Sequence, residues 1–169
     1  MNKIKLGILG GGGDSLIGVL HRVASNMYDR YEITGGVFNP NYDENISFAK
    51  KIGVNTGRVY VDFDTFIEEE TKIPKEDRIE VVSVLTPNFL HFPMAKKLLE
   101  NGFHVICEKP LTTSYNEALE LESLQKQHEA IFAVTYTYTG YPMVRHMKHM
   151  IAKGELGEIQ KVDVQYYQG

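Results

Sequence analysis

The sequence lacks cysteine pairs, long apolar runs and internal repeats, and each absence excludes a class of protein. It contains a single cysteine, Cys107, which excludes an internal disulfide framework and fits a reducing compartment. No apolar run is long enough to cross a bilayer, and the first residues lead into a strand-like pattern rather than a signal peptide. No internal repeat or low-complexity segment is visible. We therefore expect a soluble, cytoplasmic protein without a membrane partner.

Positive charge is also scarce. The 18 lysines and arginines are outnumbered by 22 aspartates and glutamates, which gives a formal net charge of −4. Because no run of basic residues offers a surface for a polyanion, we do not expect a nucleic-acid partner. The 169 residues, 43% of them hydrophobic, suffice for one packed core.

Glycine, by contrast, is concentrated near the start of the chain. Residues 4–22 read IKLGILGGGGDSLIGVLHR, in which an alternating apolar run meets four glycines and a run of helical periodicity follows. This order predicts a strand, a tight turn and a helix whose amino end suits a phosphate. We interpret the turn as a dinucleotide-binding loop, although a glycine-rich turn after a strand also occurs as a plain tight turn.

The glycine spacing matches the dinucleotide fingerprint G-x-G-x-x-G only in part. Gly10 and Gly12 occupy its first two glycine positions. The third position falls on Ser15, and the next available glycine is Gly18. The interpretation therefore needs support from the rest of the chain.

Strands and helices alternate along the whole sequence. The predicted strands are residues 4–9, 31–38, 58–61, 79–85, 103–107 and 131–138. The predicted helices begin near residue 15 and cover residues 43–53, 64–70, a stretch ending at 102, 114–128 and 142–153. This alternation predicts an α/β fold, a doubly wound and mostly parallel sheet with helices on both faces. Ligands of such sheets bind beyond the carboxyl ends of the strands.

Asn39 stands at the end of the second predicted strand, where a dinucleotide fold holds the adenosine ribose. An acidic residue there favours NAD, whereas a nearby arginine favours NADP. Asn39 is neither, but Asp43 and Glu44 follow closely and the first cations, Lys50 and Lys51, come later. We favour NAD over NADP, although the asparagine also fits a plain turn.

The strongest candidate for chemistry follows the strand at 103–107. Lys109 lies one residue beyond it, and Pro110 restricts the lysine backbone to extended conformations. Its ammonium can donate to a substrate oxygen and transfer a proton, and Glu108 can position it. On these residues alone, a Glu-Lys-Pro sequence after a strand is more often a surface turn. Cys107 itself is typical of an inert core cysteine.

Residues 159–167 alternate polar and apolar side chains, as a strand exposed on one face does. Such a strand does not belong in a sheet covered on both faces. We therefore expect one domain over residues 1–135. Residues 136–169 are expected to be a linker helix and the first strand of a further domain.

Several stretches together resemble the Gfo/Idh/MocA family of NAD(P)-dependent oxidoreductases. They are VLTPNFLHFPMAKKLLENGFHV, ICEKPLTTSYNEALEL and MVRHMKHMIAKGELGEI, with IGVLHR and TYTYTGYPMVR resembling one branch in particular. The resemblance covers essentially the entire chain. It implies a Rossmann-type domain that binds NAD or NADP.

The resemblance also implies roles for individual residues. The residues implied to line the pyrophosphate are Gly10, Gly12 and Gly13. Those implied to face the ribose and nicotinamide are Thr86, Pro87, Asn88 and His91. Glu108 and Lys109 are implied to lie at the nicotinamide, with Lys109 touching the substrate hydroxyl. For His91, packing within the helix is an equally open interpretation.

The implied reaction is hydride transfer between nicotinamide and a sugar, cyclitol or related polyol. Tyr138 matches an aromatic near the substrate, but Thr139 stands where many members carry an arginine, which leaves the substrate class open. Members continue into a substrate domain built on an antiparallel sheet. We therefore expect this chain to be truncated before that domain, to bind a dinucleotide without turning over substrate, and to form a homo-oligomer when full length.

Two other functions stay open. One is a non-catalytic NAD(P)-binding or regulatory module, and the other is an unrelated protein that binds a different nucleotide, such as a methyl-donor cofactor. His146 and His149 have the spacing of metal ligands on a helix, but no carboxylate or cysteine completes a site. We predict no metal.

Overall fold

A computed structural model describes residues 3–167. Its strands are β1 (Ile4–Gly10), β2 (Tyr31–Val37), β3 (Val81–Leu85), β4 (His104–Cys107) and β5 (Phe132–Val134). Its α-helices are α1 (Leu16–Asn26), α2 (Tyr42–Lys51), α3 (Phe63–Lys72), α4 (His91–Glu100), α5 (Tyr115–Gln127) and α6 (Pro142–Ala152). No helix between residues 3 and 167 is both long and apolar enough to span a bilayer.

The five strands form one sheet in the order β2-β1-β3-β4-β5, and every pairing is parallel. The strand β2 lies on one side of β1, whereas β3, β4 and β5 follow on its other side. Sheets of this type open a ligand crevice where the strand order reverses in this way, here between β1 and β3. Gly10 pairs with Leu85, and Val84 pairs with Cys107. The segments after β1, β3 and β4 therefore lie side by side at one edge. The predicted Rossmann-type α/β fold is confirmed.

The hydrophobic core lies on both faces of the sheet. Leu6 and Ile8 belong to one buried cluster and Leu9 to the other, as expected when successive side chains of a strand point to opposite faces. All three are at most 1% exposed. A strand buried on both sides in this way is typical of a parallel sheet covered by helices.

The strand predicted at residues 58–61 is wrong. Residues Thr56–Arg58 form a 3-10 turn, and the only pairing of this segment is an isolated bridge between Gly36 and Val59. A strand needs a continuous row of backbone pairings, and a single bridge does not supply one. Arg58 donates two hydrogen bonds, of 2.6 and 2.7 Å, to the carboxylate of the fully buried Glu70.

Residues 136–169 form a compact unit separate from residues 1–135. Within it, Thr137–Gly140 form a 3-10 turn, so β5 ends sooner than predicted, and α6 follows. Residues 159–167 form neither helix nor strand, and the predicted strand is absent there. A strand requires a neighbour for its backbone groups, and no described strand pairs with this segment. That residues 136–169 open a further domain stays a prediction.

Candidate functional site

The glycine turn after β1 has a backbone that other residues rarely adopt. Gly10, Gly11 and Gly13 have φ angles of +83°, +66° and +57°. A Cβ atom added to Gly12 would lie 2.5 Å from the carbonyl oxygen of Phe38. A Cβ added to Gly13, by contrast, would meet no heavy atom within 4 Å. The turn is therefore packed on the protein side and open on the other.

The start of α1 is fitted closely to this turn. The hydroxyl of Ser15 caps the helix and accepts a hydrogen bond from the backbone N–H of Gly18 at 3.2 Å. A Cβ on Gly18 would lie 1.8 Å from the carbonyl oxygen of Gly11. Gly18 therefore performs the helix-packing role that the fingerprint gives to its third glycine. The sequence pattern placed that role at Ser15, one turn too early.

A cavity of about 590 Å³ opens beside the glycine turn, a size typical of small-molecule sites. Five predicted site residues line it: Gly10, Gly12, Asn39, Thr86 and Pro87. Its other walls are mainly apolar: Leu9, Gly11, Val37, Phe38, Pro40, Val61, Asp62, Phe63, Leu85, Leu90 and Met94. The remaining predicted residues, namely Gly13, Asn88, His91, Glu108 and Lys109, do not line this cavity.

The carboxylate of Glu44, in the first turn of α2, is held beside the residue that follows the end of β2 by two positions. The side chain of Asn39 donates to the Glu44 carboxylate at 2.8 Å and accepts from the backbone N–H of Asn41 at 2.8 Å. Asp62, in the cavity wall, caps α3, and the backbone hydrogen bond from Thr65 lowers the pKa of its carboxyl. Asp62 is therefore the carboxylate in the cavity wall, Glu44 lies next to the lining residue Asn39, and the lining residues include no lysine or arginine.

Glu108 is buried at the end of β4, and its carboxylate points back into the protein. It accepts hydrogen bonds from the Thr135 hydroxyl at 2.6 Å and from the backbone N–H of Lys109 at 3.0 Å, and Nε2 of His21 lies 3.1 Å away. Burial alone would raise the pKa of this carboxyl, but these hydrogen bonds together lower it. Glu108 is therefore held ionised.

This geometry corrects the prediction that Glu108 positions the Lys109 ammonium. Within residues 3–167 the two side chains form no ion pair, because His21 and Thr135 occupy one carboxylate oxygen and the lysine backbone the other. The Lys109 side chain is exposed at the edge of the sheet, beyond β4. The lysine is thus left available on the side where the cavity opens.

His91 is buried at the first turn of α4, 1% exposed. Its Nδ1 lies 2.7 Å from the carbonyl oxygen of Pro110, and its Nε2 lies 2.9 Å from that of Thr86. Both ring nitrogens thus lie within hydrogen-bond distance of backbone carbonyl oxygens, which fits the packing interpretation, and the contact of His91 with a cofactor stays a prediction. The ring ties the segment after β3 to the segment after β4.

Two consecutive residues of α1 join the glycine turn to the corner after β4. Arg22 donates to the carbonyl oxygen of Gly11 at 2.7 Å, while His21 bonds Glu108. In the sequence this His-Arg pair stands out only as the end of IGVLHR, one of the stretches that resemble the family. Nothing in residue spacing could reveal its contacts, because Glu108 is 87 positions further along the chain.

Cys107 is fully buried, and burial raises the pKa of its thiol to about 12. A thiol in that state is a poor nucleophile, which confirms the interpretation as an inert core residue. Among the residues that the structure describes, no cluster of three histidine, cysteine or acidic side chains could hold a metal.

Comparison with known proteins places this site in a family. Residues 4–136 match the family model GFO_IDH_MocA, described as an oxidoreductase family with an NAD-binding Rossmann fold. The uncharacterized oxidoreductase YfiI of Bacillus subtilis is 37% identical over 167 residues, which are 98% of this chain and 42% of that protein. Glucose-6-phosphate 3-dehydrogenase of the same organism is 29% identical over 162 residues, 96% of this chain and 42% of that protein.

A similar solved structure is that of an inositol dehydrogenase homolog from Azotobacter vinelandii, complexed with NADH and myo-inositol. It is 37% identical with a TM-score of 0.88, and the match covers 93% of this chain and 41% of that one. The chain thus spans about two fifths of the length of the relatives that it matches.

Proposed function

The chain belongs to this oxidoreductase family with an NAD-binding Rossmann fold, and we propose that it is the cofactor-binding part of a dehydrogenase. The proposed reaction moves a hydride between nicotinamide and a hydroxyl-bearing carbon of a sugar, cyclitol or related polyol. The inositol dehydrogenase homolog and the glucose-6-phosphate 3-dehydrogenase support this substrate class. The nicotinamide, when bound, supplies the hydride acceptor or donor.

One observation carries the proposal. The glycine turn and the Glu108-Lys109 corner lie at the same edge of the sheet, and His21 and Arg22 of one helix reach both. A dinucleotide laid along this edge would have its pyrophosphate at the open side of Gly13 and its adenosine half in the cavity. Its nicotinamide end would then lie toward Lys109.

Each residue has a distinct task in this proposal. The turn glycines let backbone N–H groups approach the pyrophosphate without a Cβ in the way. Lys109, exposed and within no ion pair of the described chain, donates to the substrate oxygen and holds or transfers the proton there. Glu108 and His91 fix the backbone of the lysine corner rather than touching substrate.

The acidic end of the cavity supports NAD rather than NADP. A 2′-phosphate would lie close to the carboxylate of Glu44, which Asn39 holds in place, and to Asp62 in the wall. Like charges there disfavour the phosphate, whereas a carboxylate accepts a ribose hydroxyl. We expect NAD⁺ to bind at least about tenfold tighter than NADP⁺, and Glu44→Gln to narrow that ratio.

Residues 136–169 are assigned in this proposal to the start of the substrate-binding part. The unit exposes many apolar side chains for its size. They include Tyr138, Tyr141, Met143, Met147, Val162 and Val164, which are 52 to 82% exposed. Exposed apolar surface of this extent is typical of a face that another part of a protein covers.

The proposal is tested by NADH binding to Gly13→Ala, measured by calorimetry. The new methyl group meets no protein atom but stands where the pyrophosphate would lie, so affinity should fall at least about tenfold. Gly53→Ala is the matched control, since Gly53 also has a positive φ and open space around its Cβ position. Equal NADH affinity of the two variants would contradict the proposed site.

A further inference from the structure

Arg22, on α1, has a half-buried guanidinium whose hydrogen-bond partner is uncharged. Its Nη1 donates to the carbonyl oxygen of Gly11 at 2.7 Å, and its Cζ lies 4.9 Å from the centre of the Phe48 ring. Within residues 3–167, no carboxylate forms an ion pair with it. Because a charge removed from water is costly unless it is hydrogen-bonded, the contact with Gly11 stabilises the guanidinium in this position.

The peptide group between Gly11 and Gly12 is fixed at both ends. Its carbonyl oxygen accepts from Arg22, and its N–H donates to the carbonyl oxygen of Phe38, just beyond β2, at 3.1 Å. The carbonyl oxygen also lies so close to α1 that a Cβ added to Gly18 would be 1.8 Å from it. The peptide group is therefore held between α1 and the end of β2.

The next peptide group, between Gly12 and Gly13, leaves a donor for a ligand. Its carbonyl oxygen accepts from the backbone N–H of Ser15 at 3.2 Å. Its N–H, which belongs to Gly13, donates to no backbone acceptor among the described residues. Because the two rigid peptide groups share the Cα atom of Gly12, the orientation of the first limits that of the second. The direction of the Gly13 N–H therefore depends on the peptide group that Arg22 holds.

We infer that Arg22 is a positioning residue: it holds the carbonyl group of Gly11 against α1 and thereby keeps the glycine turn in the conformation that binds the pyrophosphate. The inference deepens the proposed function and rests on it. Arg22 acts through the backbone of the turn rather than by contact with the phosphates.

The composition of the turn is the physical reason for this role. Residues 10–13 are all glycine. Glycine populates positive and negative φ about equally, so a turn of glycines alone has many conformations of similar free energy. A turn that is ordered before the ligand arrives binds more tightly, because binding then does not have to supply the free energy of ordering. The hydrogen bond from Arg22 supplies part of that order in the free protein.

The test compares NADH binding, measured by calorimetry, in the wild type and three variants. Arg22→Met keeps an unbranched side chain beside Phe48 but has no donor for Gly11. Its NADH affinity should fall about tenfold, the lower end of what a hydrogen bond from a charged group contributes. Arg22→Lys keeps a donor without the planar guanidinium and should bind about threefold more weakly than the wild type. Arg30→Met removes the same charge from an exposed position and should bind as the wild type does.

Hydrogen exchange of backbone amides in the ligand-free protein, followed by NMR, separates positioning from other roles. In Arg22→Met the Gly12 amide should exchange at least about fivefold faster, since its peptide group is then held at one end only. The amide of Val105 donates to the carbonyl oxygen of Ile131, far along the chain from the turn. It should exchange at the wild-type rate, which would show that the fold as a whole is not weakened.

Three results would overturn the inference and leave the proposed function intact. The first is equal NADH affinity of Arg22→Met and Arg30→Met. The second is weaker binding with unchanged exchange at Gly12, which would assign Arg22 a direct contact with the phosphates. The third is faster exchange at Val105 as well as at Gly12, which would assign it a role in overall stability alone.

Absence of NADH binding to the wild type would overturn the proposed function, and the inference with it. Should Arg22→Met not fold, Arg22→Lys provides the same comparison on a smaller scale. Wild-type values of both its NADH affinity and its Gly12 exchange would then contradict the inference.

Discussion

At the scale of single residues, the candidate site depends on buried polar side chains that hold backbone segments in place. His91 contacts the carbonyl oxygens of Thr86 and Pro110, and Glu108 contacts α1, β5 and its own neighbour. Apart from the contacts of His91 with Thr86 and of Glu108 with Lys109, these contacts join residues at least 19 positions apart. They place two loops at one sheet edge, which is what a ligand bridging both loops requires.

Replacing His91 by leucine should destabilise the protein by about 1–3 kcal/mol, because the carbonyl oxygens of Thr86 and Pro110 lose the ring nitrogens that lie within hydrogen-bond distance of them. Urea unfolding followed by circular dichroism measures this. His128→Leu, at an exposed position, should change the free energy of unfolding by less than about 0.5 kcal/mol. Similar small losses in both variants would show that the His91 contacts contribute little.

Glu108 should make stability depend on pH. Its folded pKa lies below that of a free glutamate, so the ionised carboxylate stabilises the fold above the unfolded pKa of about 4.3. That contribution disappears as pH falls through the lower, folded pKa. The free energy of unfolding of the wild type should therefore fall between about pH 5 and pH 3 more steeply than that of Glu108→Gln.

The exposed Glu155 provides the control for this prediction. Glu155→Gln should follow the wild-type curve through the whole acidic range. A Glu108→Gln curve parallel to that of the wild type would mean that the hydrogen bonds from His21 and Thr135 do not favour the ionised carboxylate.

At the scale of elements, helix ends illustrate how much the sequence can predict. Ser114 begins the helix that the sequence predicts over residues 114–128, and it forms a capping box with Glu117 in which the Ser114 hydroxyl accepts from the Glu117 backbone N–H at 3.3 Å. Ser114→Ala should therefore cost about 1 kcal/mol of stability, while Ser114→Asp should retain most of it. Urea unfolding distinguishes the two, and equal losses would contradict the cap.

The elements that were predicted correctly share a local cause. The alternation of β1, the apolar run of β3 and the cap of α5 each depend on residues within a few positions of one another. The strand predicted at residues 58–61 is wrong because a strand needs a continuous row of pairings, and this segment forms only the isolated bridge between Val59 and Gly36. Residues 159–167 were predicted as a strand from alternation alone, but a strand forms only where a neighbour pairs with it.

In the candidate site, too, features that depend on neighbouring residues were predicted and contacts between distant residues were missed. Gly10, Gly12 and Asn39 were predicted from their positions after strands, Thr86 and Pro87 from the family resemblance, and all five line one cavity. The contacts of His21, Arg22 and Thr135 were missed because they join residues up to 87 positions apart. Residue type and spacing indicate where a ligand binds, but not which side chains hold the binding loops.

At the scale of the whole molecule, the account depends on one arrangement: the glycine turn and the lysine corner form two ends of a single dinucleotide site. The parallel order β2-β1-β3-β4-β5 produces it, because the strands that carry both segments end at one edge. Family membership and the likeness to an NADH-bound relative are consistent with that arrangement.

The most direct test is an NMR titration of the uniformly ¹⁵N-labelled chain with NAD⁺. The account predicts saturable shifts of the backbone amides at residues 10–13 and at Glu108 and Lys109, with one common dissociation constant. Shifts confined to the glycine turn, or shifts at the two segments that saturate with different constants, would contradict a single site that extends from the turn to the lysine.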